Sequence, residues 1–425
     1  MLRWRHHQEA KTPGETERRQ EENETDRESL DPARGFSFLP SIRRGGTELR
    51  NFDKGLSLYV HIPFCRRKCP YCSFYSLEAE DSCIEAYLDA LAAEASAWTF
   101  KSSSREPVRS LYIGGGTPTV LSPSQWEKLA KLLAAYFDLS KLEEMTVEAN
   151  PESLTQEHLS FWKESGVTRV SLGIQSLRDH ELLRLGRLHN AKMALCALDA
   201  CLEAGFLTSC DLIFGIPGQG LRDWHETLRN LAKRKVPHVS AYQLSIEPGS
   251  AWAGVPVSDP SDGYPFYRWT QFYLGQKGYL QYEISSFCID SKWCFHNLGY
   301  WYGRDCLGLG PSAWGLLGGR RYKNVRDLDT YCRRLEAGKS VKEWTERLSG
   351  DAAASESAIL ALRTSWGLNL KIYEEKFGTE RASLLREQLN ALPNHYLLRK
   401  KDGVALSPRG MRVGNAIWER LLRGF

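Results

Sequence analysis

From residue 56 the chain alternates short runs of aliphatic and β-branched residues with longer segments whose apolar positions recur every three or four residues. The short runs predict strands over Leu56–Ile62, Ser110–Ile113, Met145–Ala149, Arg169–Ile174, Ser209–Phe214 and Val239–Ile246, and a later one over Leu280–Phe287. The amphipathic segments predict helices over Ile84–Ala97, Pro123–Tyr136, Gln156–Glu164, Ala191–Ala204 and Asp223–Arg234. Strand and helix in turn, joined by short loops, imply a parallel sheet with right-handed crossovers. About six such units suit an open, partial barrel better than a closed one of eight. In that architecture the loops at the C-terminal ends of the strands carry the chemistry.

The two ends of the chain read differently. Residues 1–50 hold ten Lys/Arg and ten Asp/Glu with few aliphatics, so ordering them would bury little apolar surface. The expectation is a disordered extension. Met1-Leu2-Arg3-Trp4-Arg5 resembles the start of a transit peptide, but Glu21, Glu22, Glu24, Asp26 and Glu28 are acidic, which such peptides avoid. After about residue 349, helices are expected over Ser355–Arg363, Leu370–Lys376 and Glu380–Ala391. A hairpin, Tyr396–Arg399 and Val404–Leu406, turns around Asp402-Gly403, and a last helix starts near Pro408. That order suggests a mostly helical, winged-helix-like domain over 349–425, preceded by a partial barrel over 51–290 and a connecting region over 291–348.

Length and composition narrow the class. With 425 residues, 42% of them hydrophobic, the chain can bury a sizeable core. A formal charge of +4 gives no reason to expect a nucleic-acid or membrane surface, and twelve basic against eight acidic residues after 349 do not change that. No apolar run approaches the roughly 18 residues of a transmembrane helix. Eleven scattered cysteines without a secretory signal pattern favour a reducing cytoplasm and thiols kept for metal.

The strongest chemical signal is Cys65-x3-Cys69-x2-Cys72, directly after the first expected strand. Three thiolates suit a [4Fe–4S] cubane with one iron left open, a site that can chelate the amino and carboxylate groups of S-adenosylmethionine (SAM). A structural zinc with Cys83 as fourth ligand is the competing reading. Zinc leaves a second motif unexplained. Gly114-Gly115-Gly116-Thr117 follows the second strand, where glycines let backbone approach a ligand and an amide and carbonyl edge can grip the amino-acid end of SAM.

With both motifs in place, the chain from about 55 onward resembles the radical SAM family of oxygen-independent coproporphyrinogen III oxidases and their heme-chaperone relatives. The resemblance implies a radical SAM partial (β/α)6 barrel and SAM contacts at successive strand ends. These are Tyr59 and Tyr71 flanking the cluster loop; Gly115, Gly116 and Thr117 in the glycine turn; Glu148 in Val147-Glu148-Ala149-Asn150-Pro151; Gln175 after the fourth strand; Arg187 twelve residues on; and Asp211 opening Asp211-Leu212-Ile213-Phe214-Gly215.

Within that family the oxidases carry a further cysteine two residues after the third ligand, where this chain has Phe74, and nothing in residues 1–50 resembles their substrate-closing arm. The chaperone branch has an H-N-x-x-Y-W motif, matched by His296-Asn297-Leu298-Gly299-Tyr300-Trp301. A neutral imidazole is a common axial ligand of heme iron, so the resemblance implies a heme site at His296, on a loop, with Asn297 steadying the ring and Arg304 near the propionates. A packing role for His296, Tyr300 and Trp301 is the alternative. Trp314 stands where the family has a histidine and Cys306 where it commonly has a tyrosine, so Cys294 and Cys306 are rival thiol ligands.

The expectation is therefore a cytoplasmic heme chaperone with a [4Fe–4S] cluster, SAM and heme as cofactors. It would hand heme to an unidentified apo-hemoprotein, with peripheral contact to membrane-bound acceptors left open and no nucleic-acid partner. The enzyme alternative is oxidative decarboxylation of coproporphyrinogen III, which the missing fourth cysteine disfavours. A radical SAM enzyme acting on RNA is the weakest reading at this net charge.

Overall fold

The computed structural model describes residues 52–99, 106–255 and 262–423; the extension expected over residues 1–50 lies outside them. Six parallel strands follow one another in the central sheet: β1 (Leu56–Ile62), β4 (Val108–Gly115), β5 (Glu144–Ala149), β6 (Arg169–Gln175), β7 (Leu207–Phe214) and β8 (His238–Gln243). A two-residue parallel pair, β2 (Phe64–Cys65) and β3 (Leu77–Glu78), sits in the first connection. The crossovers carry α1 (Asp81–Thr99), α2 (Pro123–Tyr136), α3 (Gln156–Glu164), α4 (Asp179–Arg184), α5 (Ala191–Glu203) and α6 (Leu221–Lys233). Local sequence starts these helices: Ser122 and Gln125 form a reciprocal cap with Pro123 at the first helical position, and Asn190 caps α5.

The strands alternate strictly. Leu58, Val60, Leu111, Ile113, Val147, Val170, Leu172, Leu212 and Val239 face the helices and build the main core. The other face carries Ser57, Tyr59, His61, Ser110, Tyr112, Glu144, Glu148, Arg169, Ser171, Asp211 and Ser240. Parallel strands covered on both sides usually read as continuous apolar runs. Here the inner face is polar, which is why the sequence shows alternation.

The sheet continues beyond these six strands at both edges and does not close. At one edge the single strand expected over Leu280–Phe287 is a tight antiparallel hairpin, β9 (Leu280–Gln281) with β10 (Ser286–Cys288). Ser286 turns back to donate to Glu283 O. Between β8 and β9 runs α7 (Tyr264–Gln276), and after β10 comes α8 (Phe295–Trp301). At the other edge β11 (Asp305–Leu309) pairs parallel with β1, followed by antiparallel β12 (Trp314–Leu317), β13 (Arg320–Asn324) and β14 (Lys342–Arg347), with α9 (Leu328–Glu336) between the last two. Their glycine-rich and charged sequences gave no strand signal.

The C-terminal module runs α10 (Gly350–Leu362), β15 (Leu368–Asn369), α11 (Leu370–Phe377), α12 (Thr379–Asn390), β16 (Leu397–Lys400), β17 (Gly403–Leu406), α13 (Pro408–Arg412) and α14 (Gly414–Arg423). Its antiparallel order β15-β17-β16 beside three helices is a winged-helix-like arrangement. It has its own core around Leu362, Tyr373, Leu385, Leu389, Leu406 and Trp418. Trp366 ties it to the barrel through an edge contact with Trp293 and a tilted contact with Phe52. No helix among the described residues is long and apolar enough to cross a membrane.

Candidate functional site

The C-terminal ends of the strands hold the cysteine loop. Pairing of β2 with β3 fixes its two ends, and the Cys72 amide donates to Cys69 O within it at 3.0 Å. Arg66 donates to Glu152 O, Arg67 to Gly186 O, and the Trp252 amide to Pro70 O, so three neighbouring segments brace the loop from outside. Gly186 has φ +70°, and a Cβ there would lie 2.7 Å from Pro70. The three thiols are half-buried. Burial pushes Cys65 up and Cys72 up to about 11, with the neighbouring thiols adding to both.

Two sulfurs receive aimed donors. The Thr117 hydroxyl donates to Cys65 Sγ at 3.3 Å and Arg187 to Cys69 Sγ at 3.4 Å. Asn150 joins them: its Nδ2 donates to Thr117 Oγ1 at 2.9 Å and its Oδ1 accepts from Arg187 at 2.7 Å. A continuous chain of hydrogen bonds therefore links two cysteines through the ends of β4, β5 and β6. Hydrogen bonds to sulfur are how a protein tunes an iron–sulfur cluster. Zinc fits less well. Sulfurs around one zinc, each about 2.3 Å from the metal, sit close together, yet among the described residues the three cysteines do not form a group of ligand atoms within 4.8 Å. Cys83, on α1, turns its thiol to Glu80 just before the helix.

The glycine turn is tighter than its sequence suggests. The amides of Gly116 and Thr117 donate to Ile62 O and Phe64 O at 2.8 and 2.7 Å, and that of Gly115 donates to Glu148 Oε2 at 2.9 Å. Of the amide and carbonyl edge expected to grip SAM, the amides of Gly115, Gly116 and Thr117 are thus already used. A Cβ on Gly116 would lie 2.4 Å from Phe64 O, so the turn lies directly against the cysteine loop.

Two carboxylates face the barrel interior nearby. Glu148 accepts from Tyr112 as well as Gly115, and Asp211 accepts from Ser171 at 2.8 Å. Burial raises both, and Asp211 raises Glu148 further. Gln175 ends β6 at φ +66°, an uncommon left-handed backbone for a non-glycine residue. Arg187 also donates to Gly173 O at 3.0 Å. Tyr71 packs on Trp252, beside the small cluster of Leu185, Ile213, Ile216 and Leu244. Tyr59 lies on β1 ahead of the loop, its hydroxyl 3.0 Å from His61 Nδ1 and its ring beside Tyr112. Asn150 and His61 were missed, although Asn150 stands in the Glu148-Ala149-Asn150-Pro151 run.

His296 lies at the opposite end of the strands. It is on α8 rather than a loop, fully buried, with Nδ1 3.0 Å from Ser110 Oγ and its ring 5.0 Å from Tyr112. Ser110, not Asn297, steadies the ring. Burial pushes the imidazole down to about 3, so it is neutral, and Nε2 has no hydrogen-bond partner. Arg304, expected near the heme propionates, is buried as well, donating to Phe52 O and lying over the Phe295 ring. Beside them Glu144 pairs with Arg169 at 2.9 Å. Burial also pushes the thiols of Cys294 and Cys306 up, which disfavours them as thiolate ligands. A cavity of ≈460 Å³ in the C-terminal module, lined by Leu370, Lys371, Leu389, Arg399 and Val404 among others, contains none of the expected site residues.

An unclosed parallel barrel with three cysteines on the first loop and a glycine turn on the second defines a radical SAM protein. The Radical SAM superfamily model matches residues 59–231, and the HemN C-terminal domain model matches 348–413. Coproporphyrinogen III oxidase (HemN) from Escherichia coli has the same fold, with a TM-score of 0.77 at 23% identity over 88% of this chain and 91% of its own. Among proteins of known name, heme chaperone HemW of Lactococcus lactis is 33% identical across 87% of this chain and 98% of its own length. That of Bacillus subtilis is 31% identical across 86% and 99%. This chain belongs to the HemW family. Radical SAM membership implies a [4Fe–4S] cluster and SAM, and the donor set described above fits both.

Proposed function

We propose that this chain is a cytoplasmic heme chaperone that binds heme and passes it to an apo-hemoprotein, with Cys65, Cys69 and Cys72 holding a [4Fe–4S] cluster. In this reading the barrel over 51–290 presents the cofactors, and the regions 291–348 and 349–425 close its base and flank. The observation that favours a chaperone over the oxidase is Phe74: where the oxidases carry a further thiol, this chain has an apolar ring that is 56% exposed.

When bound, the cluster with SAM at its open iron supplies one-electron chemistry. The chain's own residues hold and orient. Thr117 and Arg187 donate to two cysteine sulfurs, the carbonyl side of Gly115 and Gly116 suits an ammonium group, and Gln175, Glu148 and Asp211 offer polar groups where a nucleoside can be gripped. Tyr71 against Trp252 walls the loop on its outer side. Tyr59, its hydroxyl 3.0 Å from His61 Nδ1, is kept in this reading as a contact to SAM.

For heme, His296 is the proposed axial ligand. Its neutral ring has one nitrogen without a partner, the form iron binds. Presenting that nitrogen requires α8 to leave the base of the barrel, so ligation is coupled to opening there.

Titrating anaerobically reconstituted protein with heme tests this. His296→Ala is expected to weaken binding and alter the Soret band while leaving the cluster intact. Cys294→Ala and Cys306→Ala are expected to leave the spectrum unchanged. An altered spectrum in a cysteine variant alone would make the ligand sulfur. Multiple turnovers of coproporphyrinogen III with SAM and reductant would replace the chaperone by the enzyme.

A further inference from the structure

At the same end of the barrel as the cysteine loop, but on different segments, His180 and Glu181 of α4 face Asp223 of α6. One ligand atom from each lies within 4.8 Å of the other two. Acidic residues in the first turn of a helix are ordinary, because they meet the positive end of the helix dipole. That accounts for Asp223. Glu181 also lies in a first helical turn, but the dipole does not account for its burial: it is 2% exposed and keeps one carboxylate oxygen, Oε1, buried with no hydrogen-bond partner among the described residues. A buried acceptor left unsatisfied costs free energy unless something binds it.

The partnering of the two carboxylates says what that something is. Glu181 gives Oε2 to the Ser176 hydroxyl and to Gln219 Nε2, and Gln219 is itself anchored by accepting from the Gly215 amide. Asp223 gives Oδ1 to Arg178 at 2.7 Å, while its Oδ2 is 3.8 Å from His180 Nε2. Each carboxylate is thus oriented through one oxygen and keeps the other free of a hydrogen-bonded guanidinium, hydroxyl or amide among the described residues. Metal-binding carboxylates are held in this way, with outer donors fixing the ligand and one oxygen reserved for the ion. Two carboxylates and one guanidinium leave a net negative charge, and an imidazole completes a mixed nitrogen–oxygen set. Such a set suits a divalent first-row cation of the manganese-to-zinc class.

We propose that His180, Glu181 and Asp223 bind one divalent transition-metal ion, separate from the cluster. The ion clamps the loop after β6 to the loop after β7. Because α4 leads within three residues to Arg187, which donates to Cys69 Sγ, the clamp steadies the donor side of the cysteine loop.

The test uses full-length protein with its cluster reconstituted, so that the cluster thiols are already occupied. Mn2+ is titrated and the unbound ion followed by electron paramagnetic resonance with the cluster oxidised and diamagnetic; Zn2+ is titrated by calorimetry on the same sample. One ion per chain is expected. Glu181→Gln and His180→Ala should each weaken binding by more than about tenfold, and Gln219→Ala by about tenfold, the size seen when an outer partner is lost. Glu226→Gln, elsewhere on α6, should leave binding unchanged. His180 is exposed, so its variant decides the matter if Glu181→Gln fails to fold. No saturable binding of either ion, or binding that His180→Ala leaves intact, overturns the proposal and returns these residues to helix-end acids.

Discussion

The two ends of one barrel use the same kind of inward-facing polar residue for opposite purposes. At the mouth, among the described residues, Glu148 and Asp211 accept hydrogen bonds from neutral groups, Tyr112, Gly115 and serines, and burial raises both. At the base, burial also pushes the Glu144 carboxyl up. There the Arg169 guanidinium and the amides of His296 and Phe295 outweigh it and hold the group below the usual carboxylate range. A residue of the same type, four positions along one strand, is charged and locked at one end and left poorly compensated at the other. The base is built for stability and the mouth for a ligand that brings the missing charge.

The largest expected effect breaks the mouth. Cys69→Ala should take iron content from about four per chain, the cubane stoichiometry, to none. Changing Cys83, Cys196 or Cys201 should leave it unchanged by the same iron analysis. At the base, Arg169→Ala strands Glu144 without its partner and should cost about 3–5 kcal/mol, read from denaturant unfolding. Cluster content per folded molecule should not change, and a loss of iron in step with stability would mean the two ends are not separable.

A pH series sharpens the contrast. Glu144 is depressed in the folded chain, so its stabilisation is present above the unfolded carboxylate pKa and is lost as pH falls through the folded one. Glu148 is raised, so its contribution has the reverse sign and is lost as pH rises through its folded value. In thermal melts without SAM, Glu144→Gln should therefore lower stability near neutral pH, with the loss shrinking on acidification. Glu148→Gln should cost less near neutral pH than in acid. Slopes of the same sign in the two variants would erase the distinction. The smallest effect is that of Asn150→Ala, which removes one bridge between Thr117 and Arg187 and should cost about 1 kcal/mol. It should also loosen the cluster, seen as faster iron loss to a chelator.

Much of this was legible in the chain. Alternation from Leu56 to Gln243 specified six β/α units, because strand period and helix period are properties of consecutive residues. The wing around Asp402-Gly403 was legible for the same reason. The meander from Asp305 to Arg347 was not, since DCLGL, RRYKN and KEWTER carry no long apolar run; β11 is a strand because β1 offers it an edge, and β12, β13 and β14 each pair on the strand before.

What the sequence by itself determined is which chemistry is present and where along the chain: three cysteines at fixed spacing, glycines beside them, and polar residues at strand ends. Only the tertiary structure decided what each group has left to give. The amides of Gly115, Gly116 and Thr117 are consumed by Glu148, Ile62 and Phe64; Tyr59 has its hydroxyl beside His61; and His296, which reads as an open ligand, meets Glu144 from 152 positions away and is sealed into the base. The reason is physical. Spacing along a chain fixes which atoms are near one another locally, but burial and pairing are set by segments that meet only when the sheet is assembled.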